Sequence, residues 1–374
     1  MHIVTLVTPD GSLGGPLRVA VNLMKESAQA GHQVLLAAGA QGWGKDLPED
    51  YDGVPTRLFP AYSLLPGSGF AGLSSPALLT WLKKTAASAD VIHIHMARDL
   101  TTLPAALIAQ ASGRPTVIHT HGMIDASDKL LAKPLDSLLT RRALSQAQQL
   151  IALSEQEKQD LLALGAEIDP ARISLLPNGV PASQLQAKPG RKDPVEVLFL
   201  ARLQERKRPA SFIRMAQQLA QEFPQARFTL VGPDEGQGKL VLELLAQNSA
   251  EGRIRWEGSL PASQTLARMA QAQIYVLPAI AEPYGMTVVE AMSVGLPVVV
   301  LDDCGLAGQV KASGSGLVVS GQELGSLTQA VRLLLSDSAA RVRMGQAAQA
   351  FVEDQCTMGQ VGQNLERIYQ KAIA

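Results

Sequence analysis

Two glutamates in the stretch "AEPYGMTVVEAMSVGLPVVV" (281–300) pose the first chemical question. Glu282 stands in a loop-like segment before Pro-Tyr-Gly, and Glu290 falls among Val288, Val289, Ala291 and Met292 in a helical pattern. An unpaired carboxylate buried there costs several kcal/mol, roughly, so the pattern predicts something that receives it. The segment runs from the strand pattern "QIYVLPA" (273–279) into a helix, whose first N–H groups, at Gly285, Met286 and Thr287, have no helical partner and favour an anion. One turn further in, Glu290 reaches a polyhydroxylated ligand lying across that terminus, and a ribose with adjacent hydroxyls satisfies both its oxygens. Glu282 then faces whatever is attached beyond the phosphates.

A second anion site is spelled by "ARLQERKRP" (201–209), which follows a strand and opens a helix. Arg202 supplies a planar fork and Lys207 a point charge, the pair that suits a diphosphate. Arg206 and Arg208 read as solvated members of the same loop. At the other end of the chain, Gly14 and Gly15 stand between the first strand and a helix with Pro16 in its first turn. Glycines there let a backbone approach a ligand closely, or simply make a tight turn. The spacing is not that of a dinucleotide fingerprint, and "GQGK" (236–239) lacks the form of a phosphate-binding P-loop. "TVIHTHGM" ends a strand in His119, His121 and Gly122; His121, at the tip, is expected at a ligand cleft. His93 and His95 in "VIHIHM" line the crevice or cap a neighbouring strand. Asp302-Asp303 reads as a solvated strand end, so no metal site is expected.

The elements that must position these residues alternate with regularity. "HIVTLVT" (2–8), "QVLLAA" (33–38), "DVIHIHM" (90–96), "PTVIHT" (115–120) and "QLIALS" (149–154) are near-continuous apolar runs, as buried parallel strands require. Helical patterns such as 15–31 lie between them, which is the order of a doubly wound sheet. After "ISLLPNGV" (173–180), residues 181–194 are rich in proline and charge and read as a linker. The pattern then restarts at "VEVLFLA" (195–201) and continues through "RFTLVG", "RIRWEG", "QIYVLPA", "LPVVVL" and "SGLVVS". The expected architecture is α/β: two Rossmann-like domains with parallel sheets facing a central cleft, residues 1–180 and 195–357. The last helix pattern, 358–374, is expected to cross back onto the first domain. Ligands in such sheets sit beyond the carboxyl ends of the strands.

The bulk numbers narrow the class. The chain has 374 residues, 46% hydrophobic and 18% charged, with a net charge of −1, which argues against nucleic acid as a partner. Its two cysteines, Cys304 and Cys356, have no metal-like spacing and read as reduced thiols. The N-terminus reads as a first strand rather than a signal peptide, and no apolar run approaches a membrane span of about 20 residues. The expected location is the cytoplasm; an interfacial contact through the Leu- and Lys/Arg-bearing segment 127–146 is the alternative to an ordinary surface helix.

Glu-Pro-Tyr-Gly-Met-Thr-Val-Val-Glu-Ala-Met followed by "SVGLPVV" resembles the paired-glutamate motif of the family-4 retaining glycosyltransferases of the GT-B fold. The similarity extends over "HTHGM", "SEQEKQDLLALG", "LLPNGV", "ARL" with its Arg-Lys, and "LVGPDEG", in the family's order. It implies transfer of a sugar from a nucleoside-diphosphate sugar, a UDP-sugar rather than a GDP-sugar, to a glycan, lipid-linked or small-molecule acceptor. No cofactor or metal is implied. Arg202 and Lys207 would hold the diphosphate, Glu290 the ribose and Glu282 the transferred sugar. The backbone at Met286-Thr287 would assist, Gly15 would approach the phosphates, Ser259-Leu260 would lie near the base, and His121 by the anomeric carbon. The chain departs from the pattern at Ala201 and Arg208, where the family often has glycine, and at Gln309, a frequent glutamate. Two other functions fit the same residues: a nucleotide-sugar-binding partner subunit without catalysis, and a sugar epimerase of similar architecture.

Overall fold

Apolar runs become strands because their backbone groups find partners only in a ladder once water is excluded. The computed structural model describes residues 1–9, 15–44, 46–64, 69–124, 135–165, 167–181, 183–191, 194–247, 252–321 and 323–374. It divides into two units, Met1–Gly179 with Met358–Ala374, and Val180–Thr357.

The first unit holds β1 (His2–Val7), β2 (Leu36–Ala40), β3 (Asp50–Tyr51), β4 (Val54–Pro60), β5 (Tyr62–Ser63), β6 (Leu73–Ser74), β7 (Ile92–His95), β8 (Thr116–His119), β9 (Gln149–Ala152) and β10 (Ile173–Leu175). Eight of these form one sheet in the order β10-β9-β8-β7-β1-β2-β4-β3, parallel except for the β3–β4 pair, and β5 and β6 form a small separate hairpin. β1, β7, β8 and β9 are buried along their whole length, as a sheet covered on both faces demands. The C-terminal helix Met358–Ile373 belongs to this unit. Its Val361, Leu365, Ile368 and Ala372 form one apolar stripe packed with Leu23, Val117, Ile151 and Leu176.

The second unit holds β11 (Glu196–Leu200), β12 (Arg227–Val231), β13 (Ile254–Trp256), β14 (Ile274–Leu277), β15 (Val298–Leu301) and β16 (Gly316–Val319), ordered β13-β12-β11-β14-β15-β16 and parallel throughout. Successive strands run outward in one direction from β11 and in the other from β14, so the exits of these two strands flank the topological switch point. Residues 181–194, read from sequence as a linker, are part of this unit. Ala187 N donates to Val294 O, and the buried Arg341 donates to the carbonyls of Pro189 and Arg191. No helix among the described residues is long and apolar enough to cross a membrane. Residues 127–134 of the segment considered for interfacial contact, together with Gly14, lie outside the described residues; in the remainder, Ala143 and Leu144 are buried in the first unit's core, with Leu135 and Leu139 packed against it.

Candidate functional site

In the second unit, the exits of β11 and β14 carry two loops that touch. Ile280 N donates to Arg206 O at 2.9 Å, and the Arg206 guanidinium returns to Ala281 O at 3.0 Å. Both loops are strained where they meet. Ala281 and Arg208 adopt φ of 46° and 53°, the left-handed region that costs a side-chain-bearing residue energy. Asp303 accepts the Ala281 N–H at 2.8 Å, and the Arg208 guanidinium donates to Gly321 O at 2.7 Å. Asp303 and Arg208 thus brace the loops, where the sequence suggested only solvated charge.

Glu282 is the centre of the arrangement. It is 7% exposed, and its Oε2 accepts from the Lys207 ammonium and, at 3.2 Å, from the Arg206 guanidinium. Lys207 is itself nearly buried, and burial pushes its pKa below the ordinary lysine range while the Glu282 carboxylate works in the opposite direction. The sequence placed the costly carboxylate at Glu290, and that expectation is corrected; the Arg206 side chain is 37% exposed, as a solvated loop residue would be, but it also pairs with Glu282. Glu290 is half-buried, because it projects from the side of the helix opposite the buried Val288, Val289, Ala291 and Met292. The buried charge is Glu282, and Lys207 and Arg206 receive it.

Arg202 lies apart from that pair. Its side chain is exposed and donates to Glu235 at 3.1 Å, and Gln204 donates to the same carboxylate at 2.5 Å. Arg202 and Lys207 are therefore each matched to a different carboxylate, although Arg202 still lies close enough to lower the Lys207 pKa.

The helix Met286–Ser293 begins at Gly285, whose φ is 90°. Its first paired N–H groups, those of Val288 and Val289, use Gly285 O, so helical geometry leaves those of Met286 and Thr287 without a carbonyl four residues back. The side chain of Thr287 is engaged inward. Its hydroxyl lies 2.6 Å from the buried Tyr275 hydroxyl, which also reaches Leu200 O at 3.0 Å. One proton assignment satisfies all three: Thr287 donates to Tyr275, and Tyr275 donates to the carbonyl. That network ties the helix start to β14 and to the end of β11. Ser259 is exposed and Leu260 half-buried in the coil after β13.

In the first unit, Gly15 opens the helix Gly15–Gln29 and is exposed. A Cβ placed on it would meet nothing within 4 Å, and its φ is not positive. The described residues therefore make no steric demand for glycine at that position.

His121 does not continue β8. The strand ends at His119, and His121 sits in a turn with φ of 54°. Glu157 holds that turn: its Oε1 accepts the Thr120 hydroxyl and the Gly122 N–H, each at 2.5 Å, and its Oε2 accepts Leu153 N–H at 2.7 Å. Glu157 is the third residue of the helix Glu155–Ala163, behind the N-cap Ser154, so the sequence signal was Ser-x-x-Glu, a capping-box pattern. Here the glutamate reaches past its own helix to brace the histidine turn.

His121 is also one of five histidines gathered on one face of the sheet. In register, His2 lies beside His93 and His95 beside His119. The His119 and His121 ring centroids are 3.7 Å apart, and those of His93 and His95 4.4 Å, nearly parallel in both cases. Burial drives the pKa of all five down, that of His121 to about 3, so the rings are neutral at ordinary pH. The sequence pointed to four of these residues. His2 and Tyr369, whose hydroxyl joins the array, were missed, because strand order and a returning helix bring them there.

Comparison with known proteins now bears on the whole chain. Residues 14–179 match the glycosyl transferase 4-like domain, and residues 183–351 match glycosyl transferases group 1. A D-inositol 3-phosphate glycosyltransferase of Pseudarthrobacter chlorophenolicus is 28% identical over 278 residues, which cover 69% of this chain and 65% of that curated relative, just under two thirds of its length. Anabaena Alr3699/HepE, solved in complex with UDP and glucose, superposes with a TM-score of 0.73 at 20% identity over 98% of each chain. Sucrose-phosphate synthase from Thermosynechococcus elongatus does so with a TM-score of 0.76 at 18% identity, over 99% of this chain and 98% of that one. The fold is GT-B, and the chain belongs to the group 1 glycosyltransferases, with a 4-like N-terminal half.

Proposed function

We propose that this protein is a retaining glycosyltransferase that moves a sugar from a nucleoside-diphosphate sugar, a UDP-sugar in first place, to an acceptor hydroxyl without a metal ion. The observation that carries the reading is the convergence of Lys207 and Arg206 on the buried Glu282 at the β11/β14 switch point, beside an N-terminal helix turn able to take an anion. Family membership and the UDP bound to Anabaena Alr3699/HepE support it.

In this reading Arg202, Lys207 and the N–H groups of Met286 and Thr287 take the diphosphate, and Glu290 takes the ribose. An incoming phosphate competes with Glu282 for the Lys207 ammonium. Its arrival frees the carboxylate to accept from hydroxyls of the transferred sugar, so Glu282 orients and is not a nucleophile. The acceptor hydroxyl attacks the anomeric carbon on the face the phosphate leaves. The C–O bond to the diphosphate breaks, and the departing phosphate oxygen takes the hydroxyl proton. Fixed cations and helix N–H groups meet the negative charge that grows there, which is preorganised electrostatic stabilisation. His121 contributes a hydrogen bond to the sugar, Ser259 and Leu260 lie near the base, and Gly15 lets backbone approach the phosphates.

The test is release of nucleoside diphosphate from a panel of UDP- and GDP-sugars with simple acceptors, in excess EDTA, with the anomeric configuration of the product read by NMR. Retained configuration and undiminished turnover are expected. Release only after Mg²⁺ or Mn²⁺ is restored would remove the metal-free mechanism, and an inverted product would remove retention.

A further inference from the structure

We infer that His121, His95, His2 and His93 of the first unit, joined through Tyr369, form a single directional hydrogen-bond chain that fixes His121 as a neutral ring protonated on Nδ1. His121 then offers an N–H donor rather than a base, and His95 is the residue that positions that proton.

The chain is continuous in the distances. His121 Nε2 lies 2.7 Å from His95 Nδ1, and His95 Nε2 lies 3.0 Å from His2 Nδ1. His2 Nε2 lies 2.9 Å from the Tyr369 hydroxyl, which lies 2.8 Å from His93 Nδ1. A neutral imidazole has one donor and one acceptor nitrogen, and a phenol has one proton to give. Once one link has a direction, every other link must follow it. Only two arrangements satisfy all four contacts: His121, His95, His2 and His93 all carry the proton on Nδ1, or all carry it on Nε2.

The two ends decide between these arrangements. Among the described residues His93 Nε2 is buried with no hydrogen-bond partner, whereas His121 is the most exposed of the five histidines, at 9% against 3% or less for the others. The all-Nε2 arrangement puts an N–H in the buried, partnerless position. The all-Nδ1 arrangement leaves only a lone pair there and places the free N–H on His121, the ring nearest solvent. Orphaned buried N–H groups are the rarer defect in proteins, and His119, with both nitrogens buried and partnerless among the described residues, adds the same orphan to either arrangement; the proton therefore sits on Nδ1 in the four linked rings.

Two groups, His2/His93/His95 and His95/His119/His121, have nitrogens close enough to suggest a metal site. The rings, however, stack with planes 14° to 40° apart, so their in-plane lone pairs run side by side instead of converging on a tetrahedral centre. His2 and His95 also have both nitrogens engaged in the chain.

Long-range ¹H–¹⁵N spectra of the ¹⁵N-histidine-labelled full chain at pH 7.5 report each ring's tautomer directly. His121, His95, His2 and His93 are expected to be Nδ1–H together. A mixed set, or His121 as Nε2–H, overturns the inference. His95→Leu removes the donor to His121 and is expected to release that ring into a tautomer mixture. His95→Asn, whose amide can donate in place of Nδ1–H, is expected to restore it, and it covers the case in which the leucine variant fails to fold. His121 unchanged in a folded His95→Leu protein overturns the positioning role. Stoichiometric Co²⁺ uptake with tetrahedral d–d absorption, lost in His95→Leu, also overturns it, because the metal would need the same lone pairs. This spectroscopy is independent of the transferase reading. If that reading also holds, His95→Leu lowers kcat and His95→Asn recovers it, with nucleotide Kd unchanged in both.

Discussion

The two units solve the problem of buried polar groups in opposite ways. In the second unit, charge is kept and matched: Glu282 is buried against Lys207 and Arg206, and the strained Ala281 and Arg208 hold the loops that make the match possible. In the first unit, charge is removed: five titratable rings are stripped to neutrality, and four of them are linked by directional hydrogen bonds. A diphosphate needs fixed cations, whereas a sugar hydroxyl needs only a correctly aimed donor. The contrast teaches that titratable residues at a strand end are no evidence of acid–base work until their neighbours are known.

The contrast breaks most sharply at Lys207. Lys207→Ala leaves Glu282 with Arg206 alone and, in the proposed reaction, removes a phosphate partner; we expect kcat/KM to fall by about 10²-fold or more, as for loss of one preorganised donor. Arg202→Ala, an exposed partner, is expected to cost less. Initial rates of nucleoside diphosphate release rank the variants, and equal losses would reduce the loop to a general basic patch.

Acid separates the two strategies next. The buried rings resist protonation down to pH values far below 6.5, to about 3 for His121, while an unfolded chain takes up those protons near 6.5. The unfolded state then binds more protons, so the first unit loses stability as pH falls below about 6.5. Each such ring costs on the order of 1 kcal/mol per pH unit within that window. Asp99, pushed up by burial to about 6 from 3.8, and Glu157, also raised, work the other way below their folded pKa values. The five rings outweigh the two carboxyls. Chemical denaturation at pH 7.5, 6.5 and 5.5 is expected to show the decline, and a flat profile would mean that the rings are not neutral inside.

Glu157→Gln keeps the shape of the brace and removes one acceptor. Two N–H groups and a hydroxyl then compete for a single amide oxygen, at a cost of about 1–3 kcal/mol. A lower melting temperature is expected, with a fall in kcat larger than any change in nucleotide Kd, since the affected turn carries His121. Last and smallest, His121→Asn is expected to retain more activity than His121→Ala. Asparagine tolerates positive φ and can still donate, whereas alanine loses one hydrogen bond, worth about tenfold in kcat. Steady-state rates on folded proteins decide it, and indistinguishable variants would take His121 out of the reaction.

Most of the fold was legible because buried parallel strands announce themselves as apolar runs, and all six strands of the second sheet fall within segments read from the sequence. β4 escaped because Pro55 and Pro60 punctuate it and its residues alternate in exposure near the sheet edge. The candidate residues proposed for the site were chosen by the same rule: Arg202, Lys207, Glu282 and His121 all follow strands. What the sequence hid were partnerships across strands. Nothing local says that Arg206 turns to Glu282, that Glu157 reaches back to Gly122, or that His2 lies beside His93. Each depends on register and strand order, which a single sequence states only indirectly.

The return of the C-terminal helix has a consequence for how the molecule is made. Residues 180–357 form a continuous segment and can complete their sheet as soon as they leave the ribosome. The first unit, although synthesised earlier, must wait for residues 358–374 to cover Leu23, Val117, Ile151 and Leu176 and to deliver the Tyr369 hydroxyl. Throughout translation of the second unit, the nascent first unit therefore exposes an unfinished apolar face, open to chaperones and closed only when residues 358–374 emerge.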